Sequence, residues 1–180
     1  VPVSEVDYVE AHGTGTQAGD SAELAALHRS FSEGRSRNLI VGSVKSNIGH
    51  LEAAAGVAGV LKTIGILKNR QVPKNLHFKK PNPNIPFADY CIEVAKETRA
   101  LPGPGEKPTV YAAINSFGYG GTNAHVLLES APVRETAPAA PAPEGVRVIP
   151  FSAQGDKALR DLAGKYAFLL GQPGYGTLDD

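Results

Sequence analysis

The stretch Val41-Gly-Ser-Val-Lys-Ser-Asn-Ile-Gly-His50 decides where the rest of the chain is placed. The apolar run over residues 38–44 predicts a strand buried on both faces, as in a parallel sheet. A helix is predicted from Leu51 to Leu67, and a polar loop containing Lys45 and His50 joins the two. Ligands bind outside the carboxyl ends of the strands in an open α/β sheet. We therefore interpret Lys45 and His50 as functional residues.

The same arrangement occurs earlier in the chain. Residues 6–11 predict a strand that runs directly into His12-Gly-Thr-Gly-Thr16. A helix follows, and we expect Asp20 to open it, with Glu23 three residues later in an approximate capping box. A strand–helix–strand connection is right-handed and keeps its strands parallel. Both histidine loops should then leave the same edge of one sheet and face one site.

The rest of the first 130 residues completes an α/β fold. The helix over 51–67 is rich in alanine and glycine, and because glycine weakens helices, we expect another backbone to approach it closely. We interpret it as a central helix buried on most sides. Strands are predicted over 90–95 and 109–116. A glycine loop, Phe117-Gly-Tyr-Gly-Gly-Thr-Asn123, then leads into a further strand over 124–129, which gives a hairpin.

Composition changes abruptly after residue 130. Residues 131–145 are rich in proline and alanine, which is typical of a semi-extended linker. A strand is predicted over 146–152 and an amphipathic helix over 156–170. We therefore divide the chain into a domain over 1–130, the linker, and the start of a second, truncated α/β domain over 146–180.

The bulk composition excludes several classes of protein. The net charge is zero, so no electrostatic attraction to nucleic acid or membranes is expected. No apolar run is long enough to span a membrane, and no signal peptide is evident. A single cysteine, Cys91, forms no internal disulfide and is typical of a reducing compartment, so we expect a cytoplasmic protein. Because the chain lacks methionine and begins almost in a strand, we expect it to be part of a longer protein.

A dinucleotide site is one alternative for the first histidine loop. Gly13-Thr-Gly-Thr-Gln-Ala18 fits the pattern G-x-G-x-x-A between a strand and a helix. Such a site also needs an acidic residue after the next strand to hold the ribose, and that strand ends in Val44-Lys45. Asp20 would repel a pyrophosphate at the helix start. We reject this alternative.

Other interpretations concern metal and nucleophile sites. His28, His77 and His125 show no zinc-ligand spacing, so no metal site is expected. Cys91 is predicted to lie in mid-strand, where a buried structural cysteine is more common than a reactive one. The glycine loop over 117–123 is compatible with a simple hairpin turn. It is equally compatible with backbone N–H groups that point into an oxyanion hole.

Three stretches together resemble the β-ketoacyl synthase family, in the form found in type I polyketide synthases. They are His12-Gly-Thr-Gly-Thr16, Lys45-Ser-Asn-Ile-Gly-His50 and Asn115-Ser-Phe-Gly-Tyr-Gly-Gly-Thr-Asn123, in the family's order. The resemblance covers about residues 1–132, and the later residues resemble the start of the ketosynthase–acyltransferase adaptor. It implies a thiolase-like fold, a layered α/β sandwich of two similar halves, of which this chain is the C-terminal half.

The resemblance also assigns roles to individual residues. His12 and His50 match the catalytic histidines, and Lys45 matches the lysine that organises them. Expected substrate-binding residues are Thr14, Thr16, Phe117, Tyr119, Gly120 and Asn123. The two threonines would contact the phosphopantetheine arm of acyl carrier protein, and the Tyr119 N–H would donate to an oxyanion. No directly bound cofactor is expected.

The implied reaction is a decarboxylative Claisen condensation of a malonyl-type extender with an enzyme-bound acyl thioester. The family's cysteine nucleophile lies in the N-terminal half, and Cys91 does not match its motif. Expected partners are that N-terminal half, acyl carrier protein, an acyltransferase domain and a second copy in a homodimer. The alternative is a non-catalytic segment that docks a carrier protein or pairs with a partner chain.

Overall fold

The computed structural model describes residues 1–132 and 150–172, and the chain divides into two compact units, Val1–Val133 and Arg134–Asp180. The helices and strands of the first unit are β1 Val6–Glu10, α1 Gln17–Phe31, β2 Leu39–Gly42, the helical turn α2 Lys45–Ile48, α3 Ala55–Asn69, β3 Gln71–Val72, β4 Ile92–Val94, β5 Arg99–Ala100, β6 Tyr111–Phe117 and β7 Asn123–Glu129. The predicted α/β class is confirmed by this order.

Five strands form the main sheet, in the order β4-β2-β1-β6-β7. Neighbouring strands from β4 to β6 are parallel, and β7 is antiparallel to β6 as the predicted hairpin requires. In the register, Tyr8 lies beside Ile40 and Glu10 beside Gly42. The parallel pairing of β1 and β2 therefore places the loops that follow them at the same edge of the sheet. β3 and β5 form a separate two-stranded sheet.

One helix covers each face of the sheet. On one face, the side chains of α1 that pack against β1 and β2 are Leu24, Leu27 and Phe31, in a cluster with Val9 and Val41. On the other face, α3 contributes Ile66 and Leu67 to a cluster that contains Tyr8, Val110 and Ala112. All five residues of β1 are buried, as expected for a strand in the middle of a layered fold.

Helix α3 differs from the predicted central helix. It begins at Ala55 rather than Leu51, because residues 52–54 form a 3₁₀ turn first. A side chain at Gly59 would lie 3.2 Å from Glu10 Cγ and 3.3 Å from Ile114 Cγ2, so this glycine makes room for two side chains of the sheet rather than for the backbone that was predicted. The opposite side is bare, however, and Val57, Leu61 and Ile64 are 63, 65 and 42% exposed. A helix whose composition is suited to contact on most sides is therefore partly exposed in this chain by itself, as expected of one half of a layered sandwich.

The start of α1 also differs from the prediction. Thr16, not Asp20, is the N-cap, and its Oγ1 accepts the backbone N–H of Gly19 at 3.2 Å. The chain turns sharply before it, because Gly13 and Gly15 adopt φ values of +50° and +77°. Asp20 lies one turn inside the helix and accepts the N–H of Gly15.

Two further predictions need correction. The expected polar loop after β2 is partly the helical turn α2, and β2 itself ends at Gly42. Cys91 is not in mid-strand, because β4 begins only at Ile92 and Cys91 adopts a positive φ of 51° just before it. The cysteine is half-buried, and its carbonyl accepts the N–H of Leu39 at the start of β2.

The second unit contains one described helix, α4 Asp156–Leu170, as predicted. Phe151 packs on Tyr166 of this helix, with ring centroids 4.9 Å apart. The predicted strand over 146–152 lies partly outside the described residues, and 150–152 are not in a strand. Most of the predicted linker, 131–145, also lies outside them, so the domain boundaries stay predictions.

Candidate active site

The two histidine loops meet at the carboxyl edge of the sheet. The rings of His12, after β1, and His50, after α2, have centroids 5.8 Å apart and stand nearly perpendicular. The ring of Phe117, at the end of β6, lies 5.4 Å from that of His12. Three segments that are distant in sequence therefore converge on one place, because their strands are parallel neighbours in the sheet.

Each histidine accepts a backbone N–H at Nδ1. The N–H of Phe117 points to Nδ1 of His12 at 3.4 Å, and the N–H of Glu52 donates to Nδ1 of His50 at 2.9 Å. A neutral imidazole accepts with one nitrogen and carries its proton on the other. Both neutral rings therefore carry the proton at Nε2, and each can donate one N–H from that atom.

The surroundings of His12 favour its neutral form. Burial lowers the pKa of His12 below its ordinary value, the positive charge of Lys45 lowers it further, and the Glu23 carboxylate opposes both. Burial also lowers the pKa of Lys45, against the opposing effect of Glu10 and Glu23. A lowered pKa makes His12 predominantly neutral at pH 7, so it is able to donate an N–H without carrying a charge.

Glu23 holds the His12 loop, a role that the sequence did not reveal. Its two carboxylate oxygens accept the backbone N–H groups of His12 and Gly13, both at 2.9 Å. The Asn115 amide also donates to Glu23, and Asn115 Oδ1 lies 2.7 Å from Nδ1 of His125. The sequence spacing had indicated only a capping-box role for Glu23. These partners lie up to 92 residues away, and no local pattern signals them.

Six of the predicted site residues line one cleft of about 760 Å³. They are His12, His50, Thr14, Thr16, Phe117 and Tyr119. Lys45 lines an adjoining cavity of about 320 Å³, together with Asp20 and Glu23, and Thr14 borders both spaces. Gly120 and Asn123 line neither. The structure therefore brings together most of the predicted residues and places Lys45 in the adjoining cavity.

Thr14, Thr16 and the glycine loop over 117–123 form hydrogen bonds with residues close to them in the sequence. The hydroxyls of Thr14 and Thr16 lie 3.3 Å apart, and the Thr16 oxygen is already the helix N-cap. Phe117 and Asn123 face each other as the last and first residues of β6 and β7. Between them, the N–H groups of Gly118 and Gly121 are bonded within the turn. The N–H of Tyr119 bonds to no other described residue, and its side chain is fully exposed.

Residues 1–132 and 150–172 contain no group of three or more histidine, cysteine and acidic side chains that could hold a metal ion. None of the helices described in those ranges has the length and apolarity to cross a membrane.

Comparison with known families covers almost the whole chain. Residues 1–79 match the model of the β-ketoacyl synthase C-terminal domain, and residues 81–176 match the model of the ketoacyl-synthetase C-terminal extension. This chain belongs to the β-ketoacyl synthase family. The resemblance indicated by the three sequence motifs is thereby confirmed.

Family members of known type are similar to it. A highly reducing polyketide synthase, Preu1 of Preussia isomera, is 50% identical over 130 residues, which are 71% of this chain and 5% of that protein. Erythronolide synthase EryA3 of Saccharopolyspora erythraea is 43% identical over 182 residues, covering 100% of this chain and 6% of that protein. The chain thus spans a small part of each of these synthases.

A solved structure extends the comparison to the fold. The ketosynthase from module 1 of the bacillaene synthase of Bacillus amyloliquefaciens FZB42 superposes with a TM-score of 0.78 at 34% identity. The match covers 100% of this chain and 32% of that ketosynthase. The thiolase-like α/β fold is therefore confirmed, and the chain corresponds to the C-terminal region of a polyketide synthase ketosynthase. Nothing in these comparisons favours the alternative of a non-catalytic docking segment.

Proposed function

We propose that this chain supplies the C-terminal half of a ketosynthase active site that catalyses decarboxylative Claisen condensation. The observation that carries the proposal is the pair His12 and His50, which share one cleft and each bond a backbone N–H at Nδ1. Each neutral ring then keeps its Nε2–H as a donor, and both rings line the same space. That arrangement suits an oxygen on which negative charge develops.

In the reaction, one carbon–carbon bond is broken and another is then formed. The bond between the malonyl methylene carbon and its carboxylate breaks, CO₂ leaves, and the electron pair forms an enolate on the thioester. The enolate carbon then attacks the acyl thioester on the enzyme's cysteine, a new carbon–carbon bond forms, and the thiolate leaves. The Nε2–H groups of His12 and His50 would bind the enolate oxygen. Each preorganised donor of this kind lowers the barrier by about 3–4 kcal/mol.

The remaining cleft residues would hold the substrate. The phosphopantetheine arm of acyl carrier protein carries the malonyl group, and the Thr14 and Thr16 hydroxyls line the cleft where it would enter. The Thr16 oxygen already caps α1, so this residue would act through its O–H. The free N–H of Tyr119 would donate to the acyl thioester oxygen, while Phe117, Gly120 and Asn123 shape the turn.

The nucleophile would come from the N-terminal half of the ketosynthase. Cys91 precedes β4, and β4 is parallel to β2, so this cysteine lies at the amino edge of the sheet. His12 and His50 lie at the opposite, carboxyl edge. The exposed apolar side of α3, at Val57, Leu61 and Ile64, is the surface on which we place that half. We further propose that the chain acts with acyl carrier protein and an acyltransferase domain. The full synthase would be a homodimer located in the cytoplasm.

The test compares the chain alone with the chain joined to the N-terminal half of a ketosynthase. Alone, it is expected to take no acyl group from an acyl thioester, as measured by intact mass. Joined, it is expected to form a 3-oxoacyl product and CO₂ from malonyl carrier protein. An adduct on Cys91 that a Cys91→Ser variant abolishes would contradict the first expectation. Absence of product from a folded, acylated enzyme would contradict the second.

A further inference from the structure

We propose that Glu10 is a positioning residue of the ketosynthase, holding the turn that carries Lys45 at a fixed place relative to the loop that carries His12. The inference rests on the proposed function, because it concerns the same site. Glu10 is the last residue of β1, two residues before His12, and is only 2% exposed. No motif in the sequence identifies it.

The Glu10 carboxylate joins three segments of the fold. Oε1 accepts the backbone N–H of Val44, the residue immediately before α2. Oε2 accepts the ammonium of Lys62, on α3, at 2.8 Å and the Tyr8 hydroxyl at 2.5 Å. Lys62 also donates to the Tyr8 oxygen at 2.9 Å. One side chain therefore ties the end of β1 to the start of α2 and to the helix behind them.

The buried Glu10 carboxylate has an opposite charge, hydrogen-bond donors and space around it. A buried charge is stable only when it is paired and hydrogen-bonded, and Lys62 supplies the opposite charge. Space for the carboxylate comes from Gly59, where a Cβ would lie 3.2 Å from Glu10 Cγ. The side chain is thus confined to one position, and the N–H of Val44 is confined with it.

The turn α2 needs bonds to its neighbours: Ser46 bonds to Asn75 and accepts the N–H of Leu76, and Glu10 supplies the bond from β1. The turn contains four residues, and a helix of that length is not stable by itself. Gly49 and His50 follow it directly, and the Nδ1 bond of His50 to Glu52 is local, so it does not fix the ring to the sheet. A shift of α2 would therefore move Lys45 and His50 together. A displacement of about 1 Å in such groups is sufficient to lower a rate substantially.

The experiment compares two double variants in a complete ketosynthase that contains this chain. Glu10→Gln with Lys62→Met keeps an acceptor oxygen for the Val44 N–H and removes both charges. Glu10→Met with Lys62→Met has nearly the same volume and removes the acceptor as well. Replacing a buried ion pair by apolar groups of similar volume is often neutral for stability. The two variants therefore differ in the acceptors that residue 10 offers to Val44 and to the Tyr8 hydroxyl, and adding Tyr8→Phe to both leaves the bond to Val44 as the main difference.

We expect malonyl carrier protein decarboxylation to be at least about tenfold slower in the Met variant than in the Gln variant. Acylation of the cysteine should be equal in both, and so should the melting temperature within a few degrees. If Glu10 had a purely structural role, the Met variant would lose stability, cysteine acylation and decarboxylation together. The rate of decarboxylation relative to acylation would then be the same in both variants. Glu93→Gln, which removes an exposed ion pair with Arg99, is the control that should match the parent.

Two results would overturn the inference. The first is equal decarboxylation in the Gln and Met variants while His12→Ala still slows it, which would leave the proposed function intact. The second is a Gln variant that folds while the Met variant does not, even after Tyr8→Phe removes the unpaired hydroxyl, because Glu10 would then be needed for the fold as a whole. The proposed function fails separately if His12→Ala and His50→Ala decarboxylate at the parental rate.

Discussion

Replacing His12 or His50 by alanine in the complete ketosynthase is expected to slow malonyl decarboxylation at least about hundredfold, the usual effect of losing one oxyanion donor. Each ring has its Nδ1 occupied by a backbone N–H, so each variant removes one Nε2–H from the shared cleft. Release of CO₂ from malonyl carrier protein measures this step directly. The double variant should lose less than the product of the two single effects, because both donors would serve one oxygen.

Loading of the cysteine separates this role from a general loss of structure. Stabilising the enolate needs no contact with the cysteine, so acylation should survive at least in part in both variants. His28→Ala is a matched control, because His28 lies on α1, where its ring stacks on Tyr90 and its Nδ1 bonds to Ser32, away from the cleft of His12 and His50. If either site variant releases CO₂ at the parental rate, that histidine is structural and the two-donor site is wrong.

Replacing Lys45 by methionine is expected to slow decarboxylation about tenfold at neutral pH and to change its pH dependence. The charge of Lys45 contributes to the lowered pKa of His12. Without that charge the pKa of His12 rises, so the ring becomes protonated at a higher pH. The acidic limb of the rate profile should therefore move to higher pH. The protonation of His12 also affects the free energy of unfolding, in the following direction. A pKa below the ordinary 6.5 means that His12 favours folding above that pH and opposes it as the pH falls.

The pH profile of decarboxylation tests this, with Lys68→Met as the matched control. Lys68 is exposed near the end of α3 and should leave the profile unchanged. An acidic limb that stays in place in Lys45→Met would show that Lys45 does not set the protonation of His12. An unchanged rate across the whole pH range would contradict any role for Lys45 in the step.

The sequence was sufficient to predict the frame of the site. Apolar runs at 6–11 and 38–44, separated by a helix, specify parallel neighbours, and parallel neighbours bring their carboxyl ends together. The meeting of the loops that contain His12 and His50 follows from that topology alone. The hairpin after residue 117 was equally predictable, because a glycine-rich turn separates two short strand-like runs.

The supporting residues could not be predicted in this way. Glu23 and Asn115 act through partners far away in the sequence, and periodicity records only local neighbours. Local sequence places Glu10 only in the strand predicted over 6–11, because its pairing with Lys62 depends on the packing of α3. The exposed apolar side of α3 likewise depends on contacts that local sequence does not record. Its composition predicts burial, and the surface that would cover it is not among the described residues.

The most direct test of the central claim is the protonation of the two rings. Histidine ¹⁵N spectra of the complete ketosynthase at neutral pH report the state of Nδ1 and Nε2 separately, with His12→Ala and His50→Ala to assign the signals. The structure predicts that both rings are neutral, with Nδ1 unprotonated and the proton on Nε2. A proton on Nδ1 of either ring, or a charged imidazolium, would contradict the proposal that two neutral N–H donors face one oxygen.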